Sequence, residues 1–164
     1  MIILSKRLFF LTAMAANLAT VSAAHAAGPS NEVFSIRGAC STMRVGTRDA
    51  TRICQGKLMS FTLANGRVGF IFFVGDEGIL QFSGPSAKQL RLAGERASQP
   101  INRVRFTLAE TAPEAATTSA GSGQCTYGNP FAGTSKISCR VISGKDVFVA
   151  DFVTDGSPPE SRGL

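Results

Sequence analysis

Four cysteines set in two frames of equal length limit this chain more than any other feature. Cys40 and Cys54 enclose STMRVGTRDATRI, Cys125 and Cys139 enclose TYGNPFAGTSKIS, and the second frame begins 85 residues after the first. A redox pair needs its cysteines close together, as in C-x-x-C, so that one thiol is activated. A structural zinc site needs C-x2-4-C knuckles or histidines. Neither pattern occurs, so two structural disulfides are the simplest reading for a chain that folds in an oxidising space. Four cysteines permit three pairings. Short loops of equal length favour Cys40 with Cys54 and Cys125 with Cys139. Closing a loop of that size contributes roughly 3 kcal/mol in the chain-entropy model, against a net stability of about 5 to 15 kcal/mol for a small domain. Duplication of a β unit would explain the equal frames; two unrelated hairpins stapled at the same spacing would explain them as well.

The oxidising compartment is argued independently by the N-terminus. Lys6 and Arg7 precede an apolar run from Leu8 to Val21, and Ala24-His25-Ala26 follows. A basic start, an apolar stretch too short to cross a bilayer and an A-x-A site describe a cleavable secretory signal, residues 1–26, with no transmembrane anchor expected after it. Removing Lys6 and Arg7 lowers 17 basic residues to 15 against 11 acidic ones. The same cut removes His25, the only histidine. The remaining chain then lacks an imidazole base, a Ser-His or Cys-His nucleophile and a mixed Cys/His metal site. No metal and no cofactor are expected.

Glycine at 17 residues and charge at 17% suit a turn-rich β protein. In KLMSFTLANGRVGFIFFVGDEGILQFSG, Lys57 to Gly84, the Asn65-Gly66 pair predicts a two-residue hairpin turn. Gly75 to Gly78 predicts a second turn, so the stretch reads as a three-stranded meander. GFIFF is apolar on both faces and reads as a central strand. Ile101 to Ala109 alternates, with Val104, Phe106 and Leu108 inward and Arg103, Arg105 and Thr107 outward. Lys136 to Ser143 and Asp146 to Val153 form a hairpin around Gly144-Lys145. Glu32 to Gly38 reads as an opening strand, and Gly84 to Pro100 as a short helix or a strand fragment. Glu110 to Gly123 reads as a mobile linker. The expected fold is all-β: an antiparallel sandwich or open barrel of about eight strands with two hairpin-type disulfides, occupying 27–156, with 157–164 as a disordered tail.

The segment CTYGNPFAGTSKISC, followed by a strand and Thr154-Asp155-Gly156, resembles a family of small exported proteins of alpha-proteobacteria. Asn65-Gly66-Arg67 in its hairpin and the strand Leu80-Gln81-Phe82-Ser83-Gly84 add to the resemblance. It covers most of the chain after the leader. It implies an exported bacterial protein and brings no catalytic residue with it.

Carboxylates are the acid-base groups left to an enzyme. Asp151, between Ala150 and Phe152, is the candidate for partial burial, and its plainer role is an outward strand residue paired with Arg140. Asp76, Glu77 and Asp155 read as turn formers. No catalytic residue is assigned, and a non-enzymatic module is expected. Basic residues crowd the first two thirds of the exported chain, from Arg37 to Arg105. Such a surface suits an anionic envelope glycan or a protein partner; nucleic acid is excluded by export and by the lack of interleaved aromatics. The thirteen residues inside each frame supply the candidate ligand-binding groups: Arg44, Arg48 and Arg52 in one, Tyr127, Asn129 and Phe131 in the other. The alternative reading is an inhibitor of an exported or host hydrolase, with a disulfide-closed loop entering the active site. A small carboxylate-based hydrolase ranks below both.

Overall fold

The computed structural model describes residues 31–76, 78–107 and 117–163. The leader, Glu77, Leu108 and residues 110–116 of the expected linker lie outside them. Among the described residues eleven strands are found: β1 (Glu32–Val45), β2 (Arg48–Asp49), β3 (Cys54–Thr62), β4 (Arg67–Val74), β5 (Gly78–Pro85), β6 (Leu90–Leu92), β7 (Arg96–Thr107), β8 (Thr117–Tyr127), β9 (Lys136–Ser143), β10 (Asp146–Thr154) and β11 (Glu160–Arg162). The all-β class and both expected disulfides, Cys40–Cys54 and Cys125–Cys139, are observed. The sheet does not stay open. In the order β1-β3-β4-β5-β7-β8-β9-β10 every neighbour is antiparallel, and β10 pairs back onto β1 from Gly38↔Thr154 to Val45↔Phe148. Eight strands thus close into a meander barrel, in which each of the eight is paired on both sides.

Period-two alternation decides what enters that interior. Leu58 on β3 faces Phe72 on β4, Phe72 faces Leu80 on β5, and Leu80 faces Phe106 on β7. Farther round, Cys125 faces Cys139, Cys139 faces Ala150, and Ala150 faces Met43. These residues line the inside, and all but Phe106 are fully buried. Phe72 packs edge-on against Phe82 at 5.9 Å and reaches Phe152 at 6.3 Å between ring centroids. β1 must kink to serve both its neighbours, and a bulge between Cys40 and Thr42 restores its inward alternation for Met43.

Three local expectations are corrected. The Asn65-Gly66 turn is one residue longer than a two-residue hairpin: Leu63 N–H bonds Arg67 C=O at 2.8 Å and Gly66 N–H bonds Leu63 C=O at 2.9 Å. Gly66 alone takes positive φ, at 75°, as a type I turn closed by a left-handed residue requires. Thr117 to Gly123, expected in a linker, are strand residues of β8. Their small size is a packing requirement, since a Cβ on Gly123 would meet Arg140 O at 2.0 Å and one on Gly121 would meet Val141 Cγ1 at 2.5 Å. The tail expected to be disordered contains β11, which pairs with Val33 to Ser35. β1 extends beyond the end of β10 there, and β11 supplies the missing hydrogen-bond partner, helped by Arg37 Nη2 to Glu160 Oε1 at 2.6 Å. Between Gly84 and Pro100 the strand fragment is the alternative that forms, as the short β6, after a 3-10 turn, Ser86–Lys88.

The barrel does not support duplication. β1 and β8, which carry the matching first cysteines, stand five places apart in the eight-strand order and run in opposite directions. A repeated four-strand unit would place its copies four strands apart and parallel.

Candidate functional site

Strand direction sends the two cysteine frames to opposite mouths of the barrel. β1 ends and β3 begins at one mouth, and β8 ends and β9 begins at the other. The six candidate ligand-binding residues therefore separate into two groups of three that do not meet.

At the first mouth Arg44 lies on β1, opposite Asp49 of β2. Arg48 is on β2, and Arg52 is in the 3-10 turn Thr51–Ile53. All three arginines are exposed. The turn is built around Thr51, whose hydroxyl accepts from Met43 N–H at 2.9 Å and whose own N–H donates to Asp49 Oδ1 at 2.9 Å. Hydrogen bonds from Thr51, with the charges of Arg44 and Arg52 behind them, hold the Asp49 carboxyl below its ordinary range. Arg44 and Arg52 are thus partly engaged by a carboxylate of their own turn. Arg48 borders a depression of about 340 Å³ together with Asp146 and Phe148.

At the second mouth Tyr127, Asn129 and Phe131 line one groove of about 620 Å³, facing Arg91 and Leu92. Asn129 has a structural role, its Oδ1 accepting from Phe131 N–H at 3.0 Å to cap the turn Pro130–Ala132. That cap holds Phe131 outward, 59% exposed, with its ring edge-on to Phe34 at 5.3 Å. Tyr127 packs on Phe70 at 5.1 Å and hydrogen-bonds the Gln89 side chain. Burial pushes its hydroxyl pKa up, opposed by the Gln89 bond. Beside these side chains lies a pocket of about 180 Å³ at the end of the barrel interior, partly open to solvent and lined by Ile36, Phe70 and Ile137 among others. Ser60, Thr62, Gln89, Gln99 and Tyr127 contribute its polar edge, and none of the described residues that line it is charged.

A third feature lies on the barrel's outside. Between their inward residues, β3, β4, β5 and β7 present Lys57, Met59, Arg67, Ile71, Phe73, Ile79, Arg103 and Arg105 outward, and no carboxylate occupies an outward position on these four strands. Arg103 and Arg105 are exposed, while Arg67 Nη2 donates to Ser83 Oγ at 2.8 Å and Asn102 Oδ1 at 3.0 Å. Burial, and then the charge of Arg103, lowers the Arg67 pKa. The Lys57 ammonium lies 5.6 Å from the Phe73 ring centroid. Among the described residues ion pairs engage only Arg37, Arg162 and Lys136 of the basic side chains.

Asp151 faces outward on β10 and pairs with Lys136 at 3.7 Å, with Ser138 Oγ donating to its Oδ1. Arg140 is opposite Val149 instead, because the hairpin register places Ser138 opposite Asp151. No group of His, Cys, Asp or Glu among the described residues could hold a metal, and none of the described helices is long and apolar enough to cross a membrane. Compared with models of known families, with curated proteins and with solved structures, the chain matches none.

Gln89 and Gln99 stand in the sequence with no motif around them. Lys57, Arg67, Arg103 and Arg105 are visible there as basic residues but not as one group. The alternation that turned Arg103 and Arg105 outward was the available signal, and it needed strand neighbours to become a surface.

Proposed function

We propose that this protein is an exported, non-catalytic binding module that docks an anionic envelope polymer on the outer face of β3, β4, β5 and β7. The observation that carries the reading is the grouping of Lys57, Arg67, Arg103 and Arg105 on four consecutive strands free of outward carboxylates. Cations with no ion-pair partner among the described residues keep their field for a ligand, and apolar Ile71, Phe73 and Ile79 between them reward close approach. Export is supported by the leader-like start of the sequence and by the bridging of all four cysteines, which suits an oxidising space outside the cytoplasm. The disulfides also leave no thiol for catalysis.

Chromatography on a sulfated polysaccharide tests the reading. The wild type should be retained at low ionic strength and released by salt, because its contacts are partly screened charges. Replacing Lys57, Arg67, Arg103 and Arg105 together by Gln should bring elution to the void volume. The corresponding triple change at Arg44, Arg48 and Arg52 should leave most of the retention in place. A wild type that is not retained, or a quadruple variant that elutes with it, rejects the assignment of this face.

A further inference from the structure

Gln99 is the least expected residue in the barrel. It is 1% exposed, it lies on β7 opposite Cys125, and its Nε2 donates to both Pro85 O and Pro100 O at 2.9 Å. Two carbonyl acceptors fix the amide's orientation, since flipping it would set oxygen against oxygen. Its Oε1 is therefore committed to the other side, where it is buried and has no hydrogen-bond partner among the described residues. A buried acceptor left without a donor carries a full desolvation cost, and native proteins seldom keep one without a reason. Gln99 is also a wall of the uncharged cavity beside Tyr127 and Phe131.

From this juxtaposition we infer that the cavity is a binding site for a small neutral molecule, one ring in size, that carries a single hydroxyl and donates it to Gln99 Oε1. Size follows from volume: an apolar cavity of about 150 Å³ accepts a benzene-sized guest, and this one measures about 180 Å³. Neutrality follows from the lining, because an ion entering a site without a counter-charge would forfeit its hydration uncompensated. An apolar body follows from Ile36, Phe70 and Ile137, and the need for a donor from the orphaned oxygen. Gln89, Tyr127, Pro130 and Phe131 line both the cavity and the outer groove, so they form the partition between the two. Phe131, on its capped turn and more than half exposed, is the part of that partition least tied to the core. This site is independent of the basic outer face, and its ligand should be indifferent to salt.

The chain has one tyrosine and no tryptophan, so intrinsic emission comes from Tyr127 at the cavity wall. The oxidised protein is titrated with cyclohexanol and with methylcyclohexane, rings of matching size with and without a donor. Both should give saturable changes in emission that do not vary with salt. Gln99→Met keeps the length of the side chain and removes the acceptor; it should weaken cyclohexanol by about tenfold, the size of one net hydrogen bond, while methylcyclohexane binds as well as before or better. Ser60→Leu fills the cavity from β3 without touching the bonds of Gln99, and it should abolish both titrations, which keeps the test decisive if the first variant fails to fold. The inference is overturned if neither ring gives a saturable signal in the wild type. It is overturned equally if Gln99→Met changes both affinities alike, or if Ser60→Leu leaves them intact.

Discussion

The two cysteine frames are equal in sequence and unequal in the barrel. Cys125 and Cys139 sit directly opposite each other on β8 and β9, face inward and are completely buried. Cys40 and Cys54 join β1 to the start of β3 and are partly exposed, packed against the core from its margin. The first frame spends its thirteen residues finishing β1 and folding a hydrogen-bonded turn around Thr51. The second spends them on a capped turn that walls a cavity. A common spacing fixes only the loop that a disulfide closes. Depth in the barrel and strand direction fix what the disulfide does.

Removing each disulfide tests that distinction most strongly. Loop entropy predicts the same loss for both, roughly 3 kcal/mol. Burial adds to one of them. Cys125→Ala with Cys139→Ala also deletes two sulfurs from the packed interior, so it should cost about 1 to 2 kcal/mol more than Cys40→Ala with Cys54→Ala. Urea denaturation of the two double variants measures the difference directly. Equal losses would mean that the loops alone set the energetics and that the contrast in depth is irrelevant.

A smaller effect separates the two turns. Thr51→Val keeps the shape of the side chain and strips the acceptor from the N–H of Met43, a fully buried residue, at an expected cost of about 1 to 2 kcal/mol. Asn129→Ala removes the corresponding bond to Phe131 N–H, but that group is exposed and water replaces the lost partner, so a change under about 0.5 kcal/mol is expected. Thermal or urea unfolding of the pair checks the ranking. A larger loss from Asn129→Ala would show that the second turn is tied to the core more firmly than its exposure indicates.

Much of this fold was legible locally. Alternation gave the inward Val104 and Phe106 of β7, glycine-bearing dipeptides gave the places of the turns, and equal short frames gave the disulfides. Closure was not legible, because it depends on β10 meeting β1 across the whole length of the chain. Neither SIRGACSTMRV nor DVFVADFVT carries a mark that distinguishes a barrel seam from an open edge. Composition misled where small residues serve packing: Gly121 and Gly123 look like linker residues and are contact points against Val141 and Arg140. It misled again in the tail, where three polar residues form a strand because β1 has an edge left to pair. The candidate sites fared alike. Arginines could be counted, but only strand order brings Lys57, Arg67, Arg103 and Arg105 together, and a buried glutamine with one unpaired oxygen has no sequence signature.

The smallest predicted effect is a difference in pH response. Hydrogen bonds from Thr51, then the charges of Arg44 and Arg52, lower the Asp49 carboxyl from its ordinary value of 3.8. A carboxyl lowered in the folded state contributes stability that is present above the unfolded value and lost as pH falls through the folded one, so the first frame should weaken in acid below about pH 4. Asp155, lowered by its bonds from Ser157, adds to the same acid limb from outside both frames. Tyr127 has the opposite sign. Burial raises its hydroxyl above the ordinary value of 10.0, so its contribution is complete below that value and is lost as pH rises through the folded one. Between its cysteines the second frame holds no carboxylate, and it should answer to alkali where the first answers to acid. Urea midpoints across both limbs should show Asp49→Asn flattening the acid slope beyond what Asp155→Asn alone achieves, and Tyr127→Phe removing the slope above about pH 10. If Tyr127→Phe leaves the alkaline slope unchanged, the Tyr127 hydroxyl titrates as freely as in the unfolded chain, and the wall it forms with Gln89 is open to water.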